Sequence, residues 1–243
     1  FLLVESMYMS LLRRWFDPLR SQWHYDRPQR QAHLPIDDGI TLYLRLDDVY
    51  SYLAVQQLRQ LEDILVEELK PLKIVLSDQA AQPPNGMTIQ AWQRYSLKDA
   101  HILASQHGFA YDDVPEIPND NAIAQAHDIL KRTPLVGRDF LYLLEDVFHM
   151  LWQQQYGKLR MLHSMAQHRH VQEDLQFQFE KIPVLNAYFA FGGRQYHAVD
   201  DLLRLTRRLQ QQKLLTSPPI FMINHIEWRE HLIQDAEELT MIQ

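Results

Sequence analysis

The chain changes its hydrophobic period repeatedly, and each change marks a structural boundary. Ile40-Thr-Leu-Tyr-Leu-Arg-Leu46 is an apolar run of strand length. At Asp48-Val49-Tyr50-Ser51 it hands over to helical spacing that continues through Leu65, which predicts a helix over about 51–66. Pro71 then punctuates the chain before a second strand, Leu72–Leu76. Strand, helix and strand in this order predict a parallel pair joined by a right-handed crossover. From Gln82 to about Phe177 the apolar positions keep helical spacing, with helices predicted over Ile89–Gly108, Asn121–Lys131, Arg138–Gln154 and Tyr156–His170. Gly108 is placed to cap the first of these, and Pro115 and Pro118 break the block. Strand patterning returns in Val184–Ala190 and Arg194–His197. Gly192-Gly193 between them suits the positive φ angles of a tight hairpin. A helix over Asp200–Gln211 follows.

The flanks read differently. Residues 2–16 form an amphipathic helix that Asp17-Pro18 ends. Ser21 to Pro35, with Pro28 inside it, is a polar linker or wrapping arm. Beyond Thr216-Ser-Pro-Pro219, Ile220–Asn224 reads as a short strand and Glu227–Leu239 as an acidic helix. The expected organisation is an N-terminal helix and linker over 1–35, an α/β domain over 36–215 with a helical insertion at about 82–178, and a C-terminal extension over 216–243.

Composition narrows the chemistry. With 243 residues, 46% of them apolar, the chain can build a sizeable core. A formal charge of −7 argues against a nucleic-acid partner, which needs clustered Lys and Arg. The chain has no cysteine, which excludes disulfides, thiolate zinc sites and thiol catalysis. That composition fits a cytoplasmic protein. No apolar run approaches the roughly 20 residues of a membrane helix. A chain that begins at Phe1 reads as part of a longer one, with an upstream domain as one candidate partner.

A four-residue strand-to-helix junction, and a late X-Pro before a hairpin and a last helix, form the plan of a thioredoxin-like domain. With its helical insertion, the chain resembles the DsbA-like superfamily, and within it the branch of 2-hydroxychromene-2-carboxylate isomerases and kappa-class glutathione transferases. Asp48-Val-Tyr-Ser-Tyr-Leu-Ala54 is similar to that branch's Ser-Pro-Tyr-Ser-Tyr-Leu-Ala. Tyr95-Ser-Leu-Lys-Asp99-Ala100, with Leu103-Ala104 and His107-Gly108-Phe109, is similar to its Tyr-x-x-x-Asp-x-x-x-x-Ala-x-x-x-Gly helix. Pro118-Asn119, Trp152, Ile182-Pro183 and Asp200-Asp201-Leu202 complete the set, which spans roughly residues 38–212. The resemblance implies glutathione as cofactor and a cis Pro183, an isomer otherwise found at about 5–6% of X-Pro bonds. It places the backbone of Ile182 and the carboxylate of Asp200 on the glutathione.

The junction departs from that pattern. In the family a serine there contacts the glutathione sulfur, whereas here the position is Asp48, and a carboxylate beside a thiolate raises its pKa. Asp48 is therefore either an N-cap, for which Asp is among the best residues, or a catalytic acid or base. Ser51, where the thioredoxin-like plan carries the second cysteine of Cys-x-x-Cys, is a candidate hydroxyl without an evident base partner. Val49 replaces the family's proline, and Asp78–Gly86 replaces its glycine-asparagine loop. His163, His168 and His170 lack metal-ligand spacing, so no metal is expected. Trp92 and Trp152 read as core, and Tyr50 and Tyr52 as side chains bulky enough to fill a pocket. Two function classes remain. One is a non-redox domain that binds a small molecule or a protein partner with the family's active site degenerate. The other is a glutathione-dependent isomerase or transferase acting on a small aromatic or electrophilic substrate.

Overall fold

The computed structural model describes residues 39–218, apart from 81, 84–85, 112–115, 134 and 168–176. The predicted helix over 2–16, the linker, the strand over 220–224 and the acidic helix lie outside the described residues, as do Pro115, His168 and His170. The elements are β1 (Thr41–Leu44), α1 (Val49–Val55), α2 (Leu58–Ile64), β2 (Lys73–Ser77), α3 (Ile89–His107), α4 (Asp120–Arg132), α5 (Gly137–Trp152), α6 (Tyr156–Gln167), β3 (Phe177–Glu180), β4 (Tyr188–Phe191), β5 (Arg194–His197) and α7 (Leu202–Gln211). The protein is thus a mixed α/β fold.

The five strands form one mixed sheet in the order β3-β2-β1-β4-β5. β1 and β2 pair in parallel, Thr41 opposite Lys73 and Leu44 opposite Leu76, as the strand-helix-strand pattern requires. β3 extends the parallel side by pairing with β2. β4 and β5 run antiparallel on the other side of β1. All four residues of β1 are buried, which explains its near-continuous apolar run. α1 is likewise buried at every position and packs on α3 and α5. α4, α5 and α6 pack on one another, joined through Phe140, Leu144, Phe148 and Leu151 of α5, all fully buried.

Several local expectations hold. Gly108 ends α3 in the left-handed conformation, φ 67°, and Gly192 and Gly193 take φ 54° and 70° in the β4–β5 turn. Others are corrected. The single helix over 51–66 is two short helices separated by a turn at Gln56–Gln57, where the Gln56 side chain bonds to the backbone of Ala110. The strand predicted from Val184 begins only at Tyr188. Val184 instead bridges Ala80 in parallel, and its carbonyl accepts from Arg45. Phe177, where the predicted helical block ends, is the first residue of β3. The last helix starts at Leu202, not Asp200. The cis peptide among the described residues is Lys70–Pro71, so Pro183 does not have the cis bond expected of it.

Candidate functional site

The turn from β1 into α1 gathers the polar groups that the sequence singles out. Asp48 is extended backbone at the N-cap, φ −104° and ψ 119°. Its Oδ2 accepts from the backbone N–H of Ser51 at 2.9 Å, from Ser51 Oγ at 2.7 Å and from the N–H of Ala187 at 2.9 Å. Its Oδ1 accepts a long bond, 3.4 Å, from the N–H of Tyr50. The capping bonds are local, but the bond to Ala187 ties the junction to the segment entering β4, 139 residues away. Ser51 is fully buried, and its Oγ also accepts from the backbone N–H of Arg45 at 3.0 Å. Both hydroxyl functions of Ser51 are therefore engaged within the fold.

Burial dominates the electrostatics of Asp48. Removal from water pushes its carboxyl up to about 6 from an ordinary 3.8. The Ser51 hydrogen bond, the Arg45 guanidinium and the Ala187 N–H pull it back, and Asp47 adds to the rise. Arg45 itself is buried. It donates to the Val184 carbonyl at 2.9 Å, pairs with Asp47 and leaves its Nε without a partner. Beside it a cleft of about 20 Å³ is lined by Arg45, Asp48, Trp92, Ser96, Trp152 and Leu185, among others. That is room for about one water molecule. Trp152 closes its floor, fully buried, with Nε1 donating to the Leu46 carbonyl at 3.1 Å and its ring stacked on Tyr52. Tyr50 and Tyr52, 2% and 1% exposed, fill the space around α1.

The remaining candidates lie apart or act indirectly. Ile182 packs against Tyr43, Val75 and Val184 on the sheet, and its carbonyl accepts from Ser77 Oγ at 2.5 Å. Pro183 is exposed. Asp200 is linked to the junction through His197. Its carboxylate lies 3.4 Å from His197 Nδ1, and the His197 ring meets the Tyr50 ring edge-on at 5.2 Å. Burial, then the Asp99 carboxylate, raises the Tyr50 hydroxyl pKa well above its ordinary value, and that hydroxyl donates to Asp99 at 2.7 Å. The N-cap position of α7 is Asp201, not Asp200, and its side chain makes no capping bond to the helix. That side chain accepts from the His197 N–H and pairs with Arg204.

His163 pairs with Asp128, itself bonded to Arg132, across the α4–α6 contact. Among the described residues no cluster of three His, Cys, Asp or Glu side chains is placed to hold a metal. No described helix is long and apolar enough to cross a membrane. Sequence reasoning missed Arg45 and Asn186, whose Oδ1 is buried without a partner. The signal for Arg45 was present, a lone cation inside the apolar run Leu44-Arg45-Leu46. Asn186 gave none. No family model, curated protein or solved structure matches the chain.

Proposed function

We propose that this chain is a non-redox binding domain on a thioredoxin-like frame, with a DsbA-like helical insertion between β2 and the hairpin. In this reading the junction where such folds carry their chemistry has become a structural node. The frame reading rests on the strand order β2-β1-β4-β5, parallel on one side of β1 and antiparallel on the other. The trans bond at Pro183 counts against the ligand-binding proline of such folds and is part of the same loss.

One observation carries the functional reading. Asp48 and Ser51 spend their hydrogen bonds on Tyr50, Arg45, Ala187 and each other, leaving neither aimed at a ligand. A glutathione thiolate also fits the site poorly. It would meet a carboxylate where a hydroxyl is needed, in a cleft with room for about one water. The Ile182 carbonyl, which the family offers to glutathione, is taken by Ser77.

Calorimetric titration with glutathione, run beside an Asp200→Ala variant, tests this. No saturable heat at millimolar glutathione is expected from either protein. Saturable binding that weakens in Asp200→Ala would overturn the reading. It would favour a glutathione-dependent isomerase or transferase acting on a small aromatic or electrophilic substrate. One feature favours that second reading, the Asp48 carboxyl held at about 6 on the wall of the cleft, a value suited to proton transfer near neutral pH.

A further inference from the structure

The chain is acidic overall, yet residues 194–213 carry five cations, Arg194, Arg204, Arg207, Arg208 and Lys213, against two acids, Asp200 and Asp201. The fold concentrates them. On α7, Leu202, Leu205, Thr206 and Leu209 are buried. Arg204, Arg207 and Arg208 fall within roughly 100° of arc on the opposite side of the helix. The Arg208 guanidinium lies against the β4–β5 turn, where a Cβ on Gly192 would come within 3.1 Å of its Nη2. Arg194 begins the strand after that turn, and Lys213 stands just beyond the end of α7.

Arg204 is paired with Asp201. Arg194, Arg207 and Lys213 are exposed and make no ion pair among the described residues. Arg208 keeps a buried Nε without a partner. A cationic face of this kind, on a protein of charge −7, repels neither a short acidic polypeptide nor a single carboxylate group, whereas the whole molecule repels a long polyanion.

The chain carries such a polypeptide itself. Residues 227–238 hold Glu227, Glu230, Asp235, Glu237 and Glu238 against the single cation Arg229. They lie outside the described residues, but the point from which they depart is fixed. Leu215 bridges Leu65, and the Thr216 N–H donates to the Ile64 carbonyl at 2.7 Å, three residues beyond Lys213. The intervening stretch 217–226 spans up to about 33 Å when extended, against a length of about 15 Å for α7. Reach is sufficient, and the charges are complementary. We infer that the outer face of α7 and the β4–β5 turn is a docking surface for the acidic segment 227–238 of the same chain.

Carbodiimide coupling of the full chain at low salt tests this, because it joins Lys213 to a carboxylate only at direct contact. Peptide mass spectrometry of the monomer fraction should find Lys213 joined to acids in 227–238. In an Arg194→Glu/Arg207→Glu variant, which keeps Lys213 and alters only exposed side chains, the yield should fall about three- to ten-fold. That is the effect of one to two exposed charge pairs. Circular dichroism of the variant checks that the fold is unchanged. Three results would overturn the inference: no such product in the monomer, a yield indifferent to the charge reversal, or a product confined to cross-linked dimers. The last would make a second copy the occupant.

Discussion

Asp48→Asn isolates the electrostatics of the junction. In the native protein, burial moves the carboxyl from 3.8 to about 6. The unfolded chain releases this proton near 3.8, while the folded chain keeps it until about 6. Between those values the folded state binds more protons than the unfolded one, so stability falls as pH rises. The contribution is fully present below the unfolded value and is lost as pH passes through the folded one. A separation of about two units at about 1.36 kcal/mol each amounts to roughly 3 kcal/mol. Asparagine has no proton to exchange. Subtracting its unfolding free energy from the native value, by urea titration from about pH 3.5 to about 7.5, leaves this contribution alone. The difference should decline by about 3 kcal/mol, mostly between pH ~4 and ~6, and then level off. A difference flat with pH would show an ordinary solvated carboxyl. A difference rising with pH would show that Arg45 and the four donors outweigh burial. Either result refutes the electrostatic argument.

Asp48→Ala removes the cap and leaves the buried Ala187 N–H without its acceptor. Unfolding at pH ~5 should show a loss of about 2–4 kcal/mol, from cap and orphaned donor together. Trp152→Phe leaves the Leu46 carbonyl unpaired and a void beside Tyr52, and should cost about 2–4 kcal/mol by the same measurement. Gly192→Ala faces both a left-handed φ and the Arg208 guanidinium at 3.1 Å, whereas Gly193→Ala meets the φ alone. Thermal melts should place the cost near 1–2 kcal/mol for Gly192 and about 1 for Gly193, and an added Arg208→Ala should narrow the gap.

The parts of this fold legible in sequence are those fixed by local rules. The helices from Ile89 to Gln167 follow from apolar spacing, and Gly108 and the Gly192-Gly193 pair follow from their tolerance of positive φ. Asp48 as a cap is a contact between neighbours in sequence, so it too could be read. The bond from Ala187 to the same carboxylate spans 139 residues and left no trace in the pattern. The late start of β4, at Tyr188 and not Val184, likewise goes with tertiary partners: the Val184 carbonyl accepts from Arg45 and its N–H donates to the Gln79 carbonyl. β3 was readable, since Phe177-Gln-Phe-Glu180 alternates with period two. The helical block read from the sequence runs to about Phe177, the first residue of this strand, and the residues after it carry no assignment. Arg45 shows the limit most clearly: a buried cation just past β1 is tolerable only because Asp47 and the Val184 carbonyl meet it there.

The central claim is that Asp48 is a buried structural node and not a ligand-facing group. Carbon-13 NMR of the Asp48 carboxyl, titrated from about pH 3 to about 8 with and without millimolar glutathione, tests it most directly. The account predicts a midpoint of about 6, unmoved by glutathione. A midpoint close to the ordinary aspartate value of about 3.9, or a resonance that shifts saturably with glutathione, would contradict it.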